Sequence, residues 1–419
     1  MAELLIIADD LTGAIETGVQ LRQQKISSRV LLSPDSAVDS ILSDKQTTAV
    51  VINIESRHLL PEEAMKKVSH VLEIAIKSGI KWFYKKTDST LRGNIGAELD
   101  AFLHGTNQHI LPYIAAHPKL KRFTREGYQY IGENLLHQTE FAWDPLEPIT
   151  SSFIPGILKK QTGVEICVLN TAEIPDQSLP GCNDEKIIVF DCRSEADLKI
   201  IGKYVHENGW HKAMAGTAAM VALLPGLLQL STTKSSYGDL KGPLLLINGS
   251  LNDRSCQQVF YARENGIATF VFPQELLSVP DLESNPDFIQ LIGKITRELK
   301  TGNDAIVNTS YFGKRVGEHN FETNSGKDYF KSVSVKTGML VSSILNKVAV
   351  NLLCVFGGDT LTGIMDLMGC DSIEPQSEIL PGVALASVQS KFGKIHLMSK
   401  PGGYGQEELI LQIINHIKK

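Results

Sequence analysis

The chain has 419 residues, of which 42% are hydrophobic and 21% are charged, and its formal net charge at pH 7 is −6. This length exceeds what one hydrophobic core usually organises, so two domains are expected. The acidic balance argues against a general nucleic-acid binder or membrane-surface binder, because both classes normally carry an excess of basic residues.

The N-terminal segment is not expected to be a targeting signal. The apolar run in MAELLIIADD is too short for a signal peptide. No stretch approaches the roughly 20 apolar residues needed to span a bilayer. The six cysteines include no CxxC pair, which favours reduced thiols over disulfides or a zinc site. We therefore expect a cytoplasmic protein with no membrane partner and no nucleic-acid partner.

Strand-like and helix-like segments alternate in the first part of the chain. The predicted strands are 4–8, 29–33, 48–54, 81–86 and 187–192, the predicted helices are 12–24 and 61–79, and 214–220 is a strand or a turn. Residues 105–150 are less regular and carry no predicted element. Such alternation predicts parallel strands covered by helices, with ligands bound beyond the carboxyl ends of the strands.

The best linker candidate is the short polar segment STTKSSYGDLKG at 231–242. Alternation then restarts, and the predicted elements are strands at 243–250, 268–272, 305–309, 351–358 and 394–399 and a long helix near 327–347. We therefore predict an α/β protein with two domains, 1–238 and 239–419. Each domain is expected to be a mostly parallel sheet covered by helices, with the active site in the cleft between the domains.

Three loops of the first domain carry candidate ligand-binding residues. Asp9 and Asp10 leave a strand before a helix, so one can act as a general base or a magnesium-linked carboxylate while the other caps the helix. Two capping acids are the simpler interpretation of that motif alone. The block KKTDSTLRGN at 85–94 mixes cations with hydroxyls, which favours a ligand with a carboxylate and several hydroxyls over a solvated loop. Arg57 could pair with a substrate carboxylate, and a surface Arg is the alternative.

Three loops of the second domain resemble phosphate-binding turns. Each follows a predicted strand and contains glycines or hydroxyls, so the backbone can approach a phosphate chain. The GGDT turn is neither a Walker A loop nor a GxGxxG fingerprint. A tight turn is the alternative for each loop, but three of them in one domain favour a shared nucleotide cleft. The candidate residues are Ser250, Asn252, Gly357, Gly358, Asp359, Thr360, Lys400, Gly402 and Gly403.

Other patterns point away from competing chemistries. There is no HExxH or GxSxG motif, which disfavours a zinc protease and a serine hydrolase. The basic cluster KLKRFTREGY at 119–128 is short and single, so a basic lid segment or a solvated loop is favoured over a nucleic-acid patch. No nucleophile, Schiff-base Lys or metal cluster supports a hydrolase or an aldolase.

In their order along the chain, these motifs resemble the four-carbon acid sugar kinase family. The resemblance runs from IADDLTGA to KPGGYG and includes SR, KKTDSTLRGN, TEFAWDP, AGTAAM, NGS, GGDT and PGVALA. It implies an N-terminal substrate domain, a C-terminal nucleotide domain and ATP-dependent phosphorylation of a four-carbon acid at its terminal hydroxyl. The loop KTDSTLRGN is similar to that of threonate and erythronate members, so D-threonate is the first expected substrate and D-erythronate the next.

The resemblance also implies roles for residues. The implied sugar-acid residues are Asp10, Arg57, Lys86, Thr87, Asp88 and Ser89, to which we add Arg92 from the same block, and the implied ATP residues are Ser250, Gly357 to Thr360, and Gly403. The segment AAHPKLKRFT stands where members commonly have AFPxxGR, and Arg122 is the match to that Arg. The segment AGTAAM replaces the more usual AGSAGLA. The first departure bears on substrate identity more than on reaction type.

The predicted mechanism assigns Arg57, Lys86 and Ser89 to the carboxylate and hydroxyls of the acid. Asp10, with Asp88 as the alternative, orients or deprotonates the terminal hydroxyl. The glycine loops of the second domain hold ATP with Mg²⁺, whose direct ligands stay unassigned. The alternatives are a 3-oxo-tetronate kinase and a non-catalytic sensor of a sugar acid or a nucleotide. A homodimer is left open.

Overall fold

The computed structural model describes residues 2–34, 44, 46–144, 147–174, 185–233, 240–250, 252–309, 323–400 and 402–418. Residues 234–239 of the predicted linker lie outside the described residues. The chain divides into two compact units, Met1–Ser235 and Ser236–Lys419. Each unit contains a mostly parallel sheet flanked by helices, so the predicted α/β class is confirmed.

The strands of the first unit form one parallel sheet and one small antiparallel sheet. They are β1 (Leu4–Ala8), β2 (Ser28–Leu31), β3 (Ala49–Asn53), β4 (Trp82–Lys86), β5 (Ile110–Ile114), β6 (Arg122–Arg125), β7 (Tyr128–Ile131), β8 (Asn134–Leu135), β9 (Glu165–Leu169), β10 (Lys186–Phe190) and β11 (Ala213–Gly216). The parallel sheet has the order β2-β3-β1-β4-β11-β5-β10-β9. The small sheet has the order β6-β7-β8.

Helices accompany this sheet along the chain. They are α1 (Leu11–Gln23), α2 (Pro61–Lys77), α3 (Ile95–Gly105), α4 (Ile154–Leu158), α5 (Glu195–Glu207), α6 (Ala218–Val221) and α7 (Leu224–Leu227), with 3₁₀ turns at Pro118–Leu120, Leu136–Gln138, Glu140–Trp143, Thr171–Glu173 and Trp210–Lys212. Successive residues of β1 point to opposite faces, and all of them are fully buried. The sheet is therefore covered on both faces, as parallel sheets usually are.

The region 105–150, which the sequence left without elements, contains a central strand and a hairpin. β5 pairs with β10 and β11 although it contains Pro112, which cannot donate a backbone hydrogen bond. Glu126 and Gly127 both have positive φ, of 52° and 73°, in the turn between β6 and β7. The Asp191 carboxylate accepts their backbone N–H groups at 2.6 and 2.9 Å. The basic segment 119–128 is thus part of an ordered hairpin.

The strands of the second unit pair in the order β13-β14-β12-β15-β18-β17-β16. The strands are β12 (Leu244–Asn248), β13 (Ala268–Val271), β14 (Ala305–Asn308), β15 (Leu352–Phe356), β16 (Ser372–Leu380), β17 (Val383–Ser390) and β18 (Gly393–Lys400). The helices are α8 (Asp253–Glu264), α9 (Pro286–Lys300), α10 (Thr323–Leu345), α11 (Gly358–Met368) and α12 (Leu409–Ile417), with a 3₁₀ turn at Gln274–Ser278. β16 to β18 form an antiparallel meander that joins the parallel strands through β15 and β18. Among the described residues, no helix combines the length and apolar character that crossing a bilayer needs.

Strand order brings the polar loops of each unit to one sheet edge. In the first unit, β3, β1 and β4 are neighbours and parallel, so the loops that follow them leave the same edge. In the second unit, β12, β15 and β18 are likewise parallel neighbours. The candidate residues of each unit therefore lie at the carboxyl ends of its parallel strands.

Candidate active site

The two acids that follow β1 share one arginine. Arg57 donates from Nε and Nη2 to Asp9 Oδ2 at 2.8 and 2.7 Å, and its Nη2 lies 2.9 Å from Asp10 Oδ1. Asp10 also caps α1, because its Oδ1 accepts the backbone N–H of Gly13 at 3.0 Å. Arg57 therefore holds both carboxylates in place. Its predicted pairing with a substrate carboxylate stays a prediction.

Burial and neighbouring charges push the pKa values of these two acids apart. Burial acts to raise the pKa of Asp9, but the charges of Arg57, Lys85 and Lys86 outweigh it and hold this pKa below its ordinary value. Burial raises the pKa of Asp10 above its ordinary value, which Arg57 offsets only in part. The negative charge of Asp9 adds to this rise. Divergent pKa values in a carboxyl pair suit one group to accept a proton while the other stays charged, and the raised pKa in this pair belongs to Asp10.

Lys86, the last residue of β4, lies beside this pair. Its Nζ donates to the backbone oxygen of Thr87 at 3.0 Å. A Cβ at Gly13 would lie 2.6 Å from Asp10 Oδ1 and 2.8 Å from Lys86 Nζ, so only glycine leaves room there for both charged groups. The Thr87 hydroxyl is buried and donates to Tyr113 Oη at 3.3 Å, which braces β4 against β5.

Asp88 organises the polar turn after β4. Its Oδ2 accepts hydrogen bonds from Thr90 Oγ1 at 2.5 Å and Arg92 Nε at 2.7 Å, and Arg92 Nη1 reaches Asp144 at 3.1 Å. Burial acts to raise the pKa of Asp88, but Arg92 and Arg57 outweigh it and hold this pKa well below its ordinary value. Asp88 therefore stays ionised and shapes the turn, which disfavours it as the alternative base.

A buried ion pair supports the same site. Lys85 Nζ lies 2.8 Å from Glu98 Oε2, and both side chains are almost completely buried. Ser56 Oγ donates a short hydrogen bond to Glu98 Oε1, and Asn94 Nδ2 donates to the backbone oxygen of Ser56 at 2.9 Å. The loop that carries Arg57 is thus tied to β4 and to the first turn of α3. Sequence reasoning missed Glu98, because an acid in the first turn of a helix is ordinary.

A second arginine reaches the turn after β4 from the small sheet. Arg122 Nη1 donates a short hydrogen bond to Ser89 Oγ. The backbone groups of Arg122 pair with those of His117, the residue that begins this hairpin region. The guanidinium groups of Arg122 and Arg92 each lie 5.8 Å from the ring centroid of Phe141. The sequence placed Phe141 in a family motif but gave it no role.

In the second unit, the loops after β12 and β15 touch. A Cβ at Gly249 would lie 1.9 Å from Thr360 Oγ1, a separation that non-bonded atoms cannot adopt. Gly357 has φ +113°, and a Cβ there would lie 3.2 Å from the backbone nitrogen of Ser250. Glycine at both positions lets the loops approach. The first turn of α11, which begins at Gly358, leaves backbone N–H groups without intrahelical acceptors.

Lys400 and Ser255 fix the third loop of this unit. Lys400 Nζ donates to Ser255 Oγ at 2.8 Å and to the backbone oxygen of Gly402 at 2.9 Å, and Ser255 Oγ donates to that oxygen at 2.7 Å. A Cβ at Gly402 would lie 2.4 Å from Ser250 Oγ, so this turn lies against the loop after β12. Burial lowers the pKa of Lys400 to about 7, and its Nζ lies 4.3 Å from the Phe356 ring centroid. Lys400 therefore braces the glycine turn, and its predicted contact with a nucleotide stays a prediction.

The remaining predicted residues of the second unit lie at the same sheet edge. Asn252 caps α8 by accepting the backbone N–H of Arg254 at 3.0 Å, and its own N–H donates to Ser250 Oγ at 3.3 Å. Asp359 is exposed in the first turn of α11, and Gly403 continues the turn after β18. Sequence reasoning assigned no role to Gly249 or Ser255, although Gly249 lies in the NGS motif beside Ser250.

An unsatisfied carboxylate oxygen and the lack of a metal-binding cluster among the described residues bear on what the first unit can bind. Asp9 Oδ1 is buried and accepts no hydrogen bond from any residue that the structure describes. Such an orphaned acceptor is costly unless a ligand or water satisfies it. Within the same described residues, no group of three or more His, Cys, Asp and Glu side chains converges as around a metal ion.

Family models match both halves of the chain. A model described as a sugar-binding N-terminal domain matches residues 4–224. A model described as a nucleotide-binding C-terminal domain matches residues 245–410. The first match covers the loops with Asp10, Arg57 and Lys86, and the second covers the three glycine or hydroxyl loops.

Curated relatives match along nearly their whole length. The chain is 26% identical to a D-threonate kinase of Salmonella typhimurium, with 100% of this chain and 99% of that protein covered. It is 24% identical to a D-erythronate kinase of Heliobacterium modesticaldum, with coverage of 100% and 97%. It is 22% identical to a 3-oxo-tetronate kinase of Salmonella typhimurium, with coverage of 98% of each chain.

Two solved structures share the fold. One is a protein from Salmonella typhimurium LT2 that was described as a tRNA synthase, with a TM-score of 0.78, 20% identity and 99% coverage of both chains. The other is a Haemophilus influenzae protein, with a TM-score of 0.69, 20% identity and 99% coverage of both chains. At this identity the likeness concerns the fold alone.

Proposed function

Since the chain belongs to the four-carbon acid sugar kinase family, we propose that it transfers the terminal phosphate of ATP to the 4-hydroxyl of D-threonate. That the chain is a tetronate-type sugar-acid kinase follows from its relatives. The main structural support for a sugar acid such as D-threonate as the substrate is the cluster of Asp10, Arg57, Lys86 and Ser89 at one sheet edge. Acids, cations and a hydroxyl in one place match a ligand with one carboxylate and several hydroxyls.

Asp10 is the proposed general base. Its Oδ1 is held by the N–H of Gly13 and by Arg57, and its Oδ2 is not among these contacts. Oδ2 is therefore the atom that would take the proton of the terminal hydroxyl. The raised pKa of Asp10 makes it a better proton acceptor than an ordinary aspartate.

Asp9, Lys86 and Ser89 would orient the acid. The orphaned Asp9 Oδ1 would accept a hydrogen bond from a second substrate hydroxyl, and its lowered pKa keeps it ionised for that purpose. Lys86 Nζ lies close to the Asp10 carboxylate and would stabilise negative charge as the hydroxyl loses its proton. Kinase catalysis of this kind is mainly positioning and charge stabilisation.

The three loops of the second unit would bind ATP. The start of α11 and the glycine turns at Gly357 and Gly402 suit a triphosphate, because a helix N-terminus favours negative charge. Ser250 lies between these two turns, so its hydroxyl is placed to reach a phosphate oxygen. The family model's description as nucleotide-binding supports this assignment.

The residues present fit a magnesium ion that accompanies the nucleotide. Mg²⁺ is usually held by one or two carboxylates together with phosphates and waters, so it needs no cluster of protein acids. Asp359, exposed beside the turn at Gly357 and Gly358, is the carboxylate that would hold it. When bound, the ion would neutralise charge on the phosphates.

A substrate panel tests the proposal. Purified protein with ATP and Mg²⁺ is assayed against D-threonate, D-erythronate, their L forms and a 3-oxo-tetronate, with kcat/KM as the readout. We expect D-threonate to give the highest kcat/KM, with kcat of roughly 1–100 s⁻¹, as for other kinases. A higher value with another tetronate would replace the proposed substrate but keep the reaction. Binding of a tetronate without ATP consumption would identify a sensor and contradict the proposal.

A further inference from the structure

Arg122 differs from the other two arginines of the first unit's site, Arg57 and Arg92, in its partners. The acid-paired cations are Arg57 with Asp9 and Asp10, Arg92 with Asp88 and Asp144, and Lys85 with Glu98. Around the Arg122 guanidinium, by contrast, no carboxylate oxygen of the described residues lies within 4.0 Å. Its protein partners are the Ser89 hydroxyl and the face of Phe141.

This environment is costly for a charged group on its own. Arg122 is half-buried, and burial lowers its pKa below the ordinary value in spite of the more distant charges of Asp88 and Glu16. The Glu16 carboxylate is itself 3.2 Å from His117 Nε2. A guanidinium has five N–H donors, and the Ser89 hydroxyl accepts from Nη1 alone. The remaining donors are arranged as a fork that fits a carboxylate.

Arg57 is less suited to a substrate carboxylate. A guanidinium can grip a carboxylate with two parallel hydrogen bonds from either of two edges, Nε with Nη2 or Nη1 with Nη2. In Arg57, Nε and Nη2 already donate to Asp9, so one atom of each edge is engaged. Nη2 also contacts Asp10. Releasing these atoms to a ligand would leave two buried acids without their cation, which is strongly unfavourable.

We propose that Arg122 binds the carboxylate of the substrate acid, next to the Ser89 hydroxyl, while Arg57 holds the two acids of the catalytic pair. This inference rests on the proposed function and refines it, because it moves carboxylate recognition from Arg57 to a residue outside the KKTDSTLRGN block. It also gives the hairpin of β6 and β7 a role in substrate recognition.

The test compares Arg122→Gln with the wild-type protein on two ligands. One ligand is D-threonate, and the other is its carboxamide, in which a neutral amide replaces the carboxylate. Arg122→Gln is expected to raise KM and Kd for D-threonate by about 10- to 100-fold, the usual range for one charge-assisted interaction. The affinity for the carboxamide should not change. Arg122→Lys should retain part of the affinity, since Lys supplies a charge without the fork.

Arg125→Gln is the matched control. Arg125 lies in the same strand, is exposed and stacks on Tyr130 at 4.9 Å, so its replacement should leave both affinities unchanged. If Arg122→Gln does not fold, Arg122→Lys provides the same comparison of acid with carboxamide.

Three outcomes would overturn the inference. An unchanged KM for D-threonate in Arg122→Gln would remove Arg122 from substrate binding. Equal losses for the acid and the carboxamide would show that Arg122 only positions Ser89. A rise in the KM for ATP alone would assign Arg122 to the nucleotide. These outcomes leave the kinase proposal standing, whereas a wild-type protein that neither binds nor phosphorylates any tetronate would defeat both.

Discussion

The Asp10→Asn variant is expected to lose about 10²- to 10⁴-fold in kcat, the usual contribution of a general base, with an unchanged KM for ATP. Asn caps a helix about as well as Asp, so its side-chain oxygen can still accept the N–H of Gly13. The amide cannot take the proton of the substrate hydroxyl. The loss should therefore appear in turnover and not in folding or in nucleotide binding.

The pH profile of the wild-type enzyme provides a second readout for Asp10. The base must be unprotonated to act, so kcat/KM should rise with pH as Asp10 loses its proton. Because burial raises the pKa of Asp10, this rise should lie at a higher pH than for an ordinary aspartate. Asp10→Asn should abolish the rise.

A matched control for this variant is Asp197→Asn. Asp197 also lies at a helix start, where its carboxylate accepts the backbone N–H of Ser194 at 3.0 Å, but it belongs to α5 and not to the candidate site. We expect wild-type turnover from it. Near-wild-type turnover from Asp10→Asn would exclude Asp10 as the base.

The Gly249→Ala variant is expected to lose roughly 10²-fold in kcat/KM for ATP, because misplacing binding groups by about 1 Å can cost that much. The new Cβ would lie 1.9 Å from Thr360 Oγ1 and 2.7 Å from Thr360 Cβ, so the start of α11 must move away from β12. Overpacking of this kind also destabilises a fold by about 1–3 kcal/mol. Steady-state kinetics with saturating sugar acid and chemical denaturation measure the two effects.

The control for Gly249→Ala is the same substitution at Gly293 in α9. A Cβ there meets nothing within 4 Å. Glycine weakens a helix interior by roughly 0.5–1 kcal/mol relative to alanine. Gly293→Ala should therefore keep full activity and unfold at a slightly higher denaturant concentration than the wild type. Wild-type kinetics for ATP in Gly249→Ala would contradict the assignment of this loop to the nucleotide.

The sequence predicts the elements of this fold best where one strong local pattern is present. β1, β4, β12 and β15 are short buried runs, and the structure has each of them within a few residues of the predicted bounds. β5 was missed because Pro112 argues against a central strand, and only its pairing with β10 and β11 overrides that local rule. β16 and β17 were missed because an antiparallel meander depends on pairing between distant residues.

The sequence also identifies the loops of the site, but it does not identify the side-chain contacts that join them to the rest of the fold. Asp10, Arg57 and Lys86 are visible as polar residues after strands, and parallel neighbours bring them to one edge. Their partners could not be read from local patterns. Glu98 joins Ser56 across 42 positions in the chain, and Arg122 joins Ser89 across 33. These contacts depend on which strands are adjacent, and a single sequence does not reveal that order.

The most direct test of kinase action is the position of the transferred phosphate. Wild-type protein is incubated with ATP, Mg²⁺ and D-threonate, and the product is examined by proton-coupled phosphorus NMR. We expect ADP and a phosphotetronate in equal amounts, with the phosphorus signal split into a triplet by the terminal methylene protons. ADP with only inorganic phosphate, or a phosphorus doublet from a secondary position, would contradict transfer to the 4-hydroxyl.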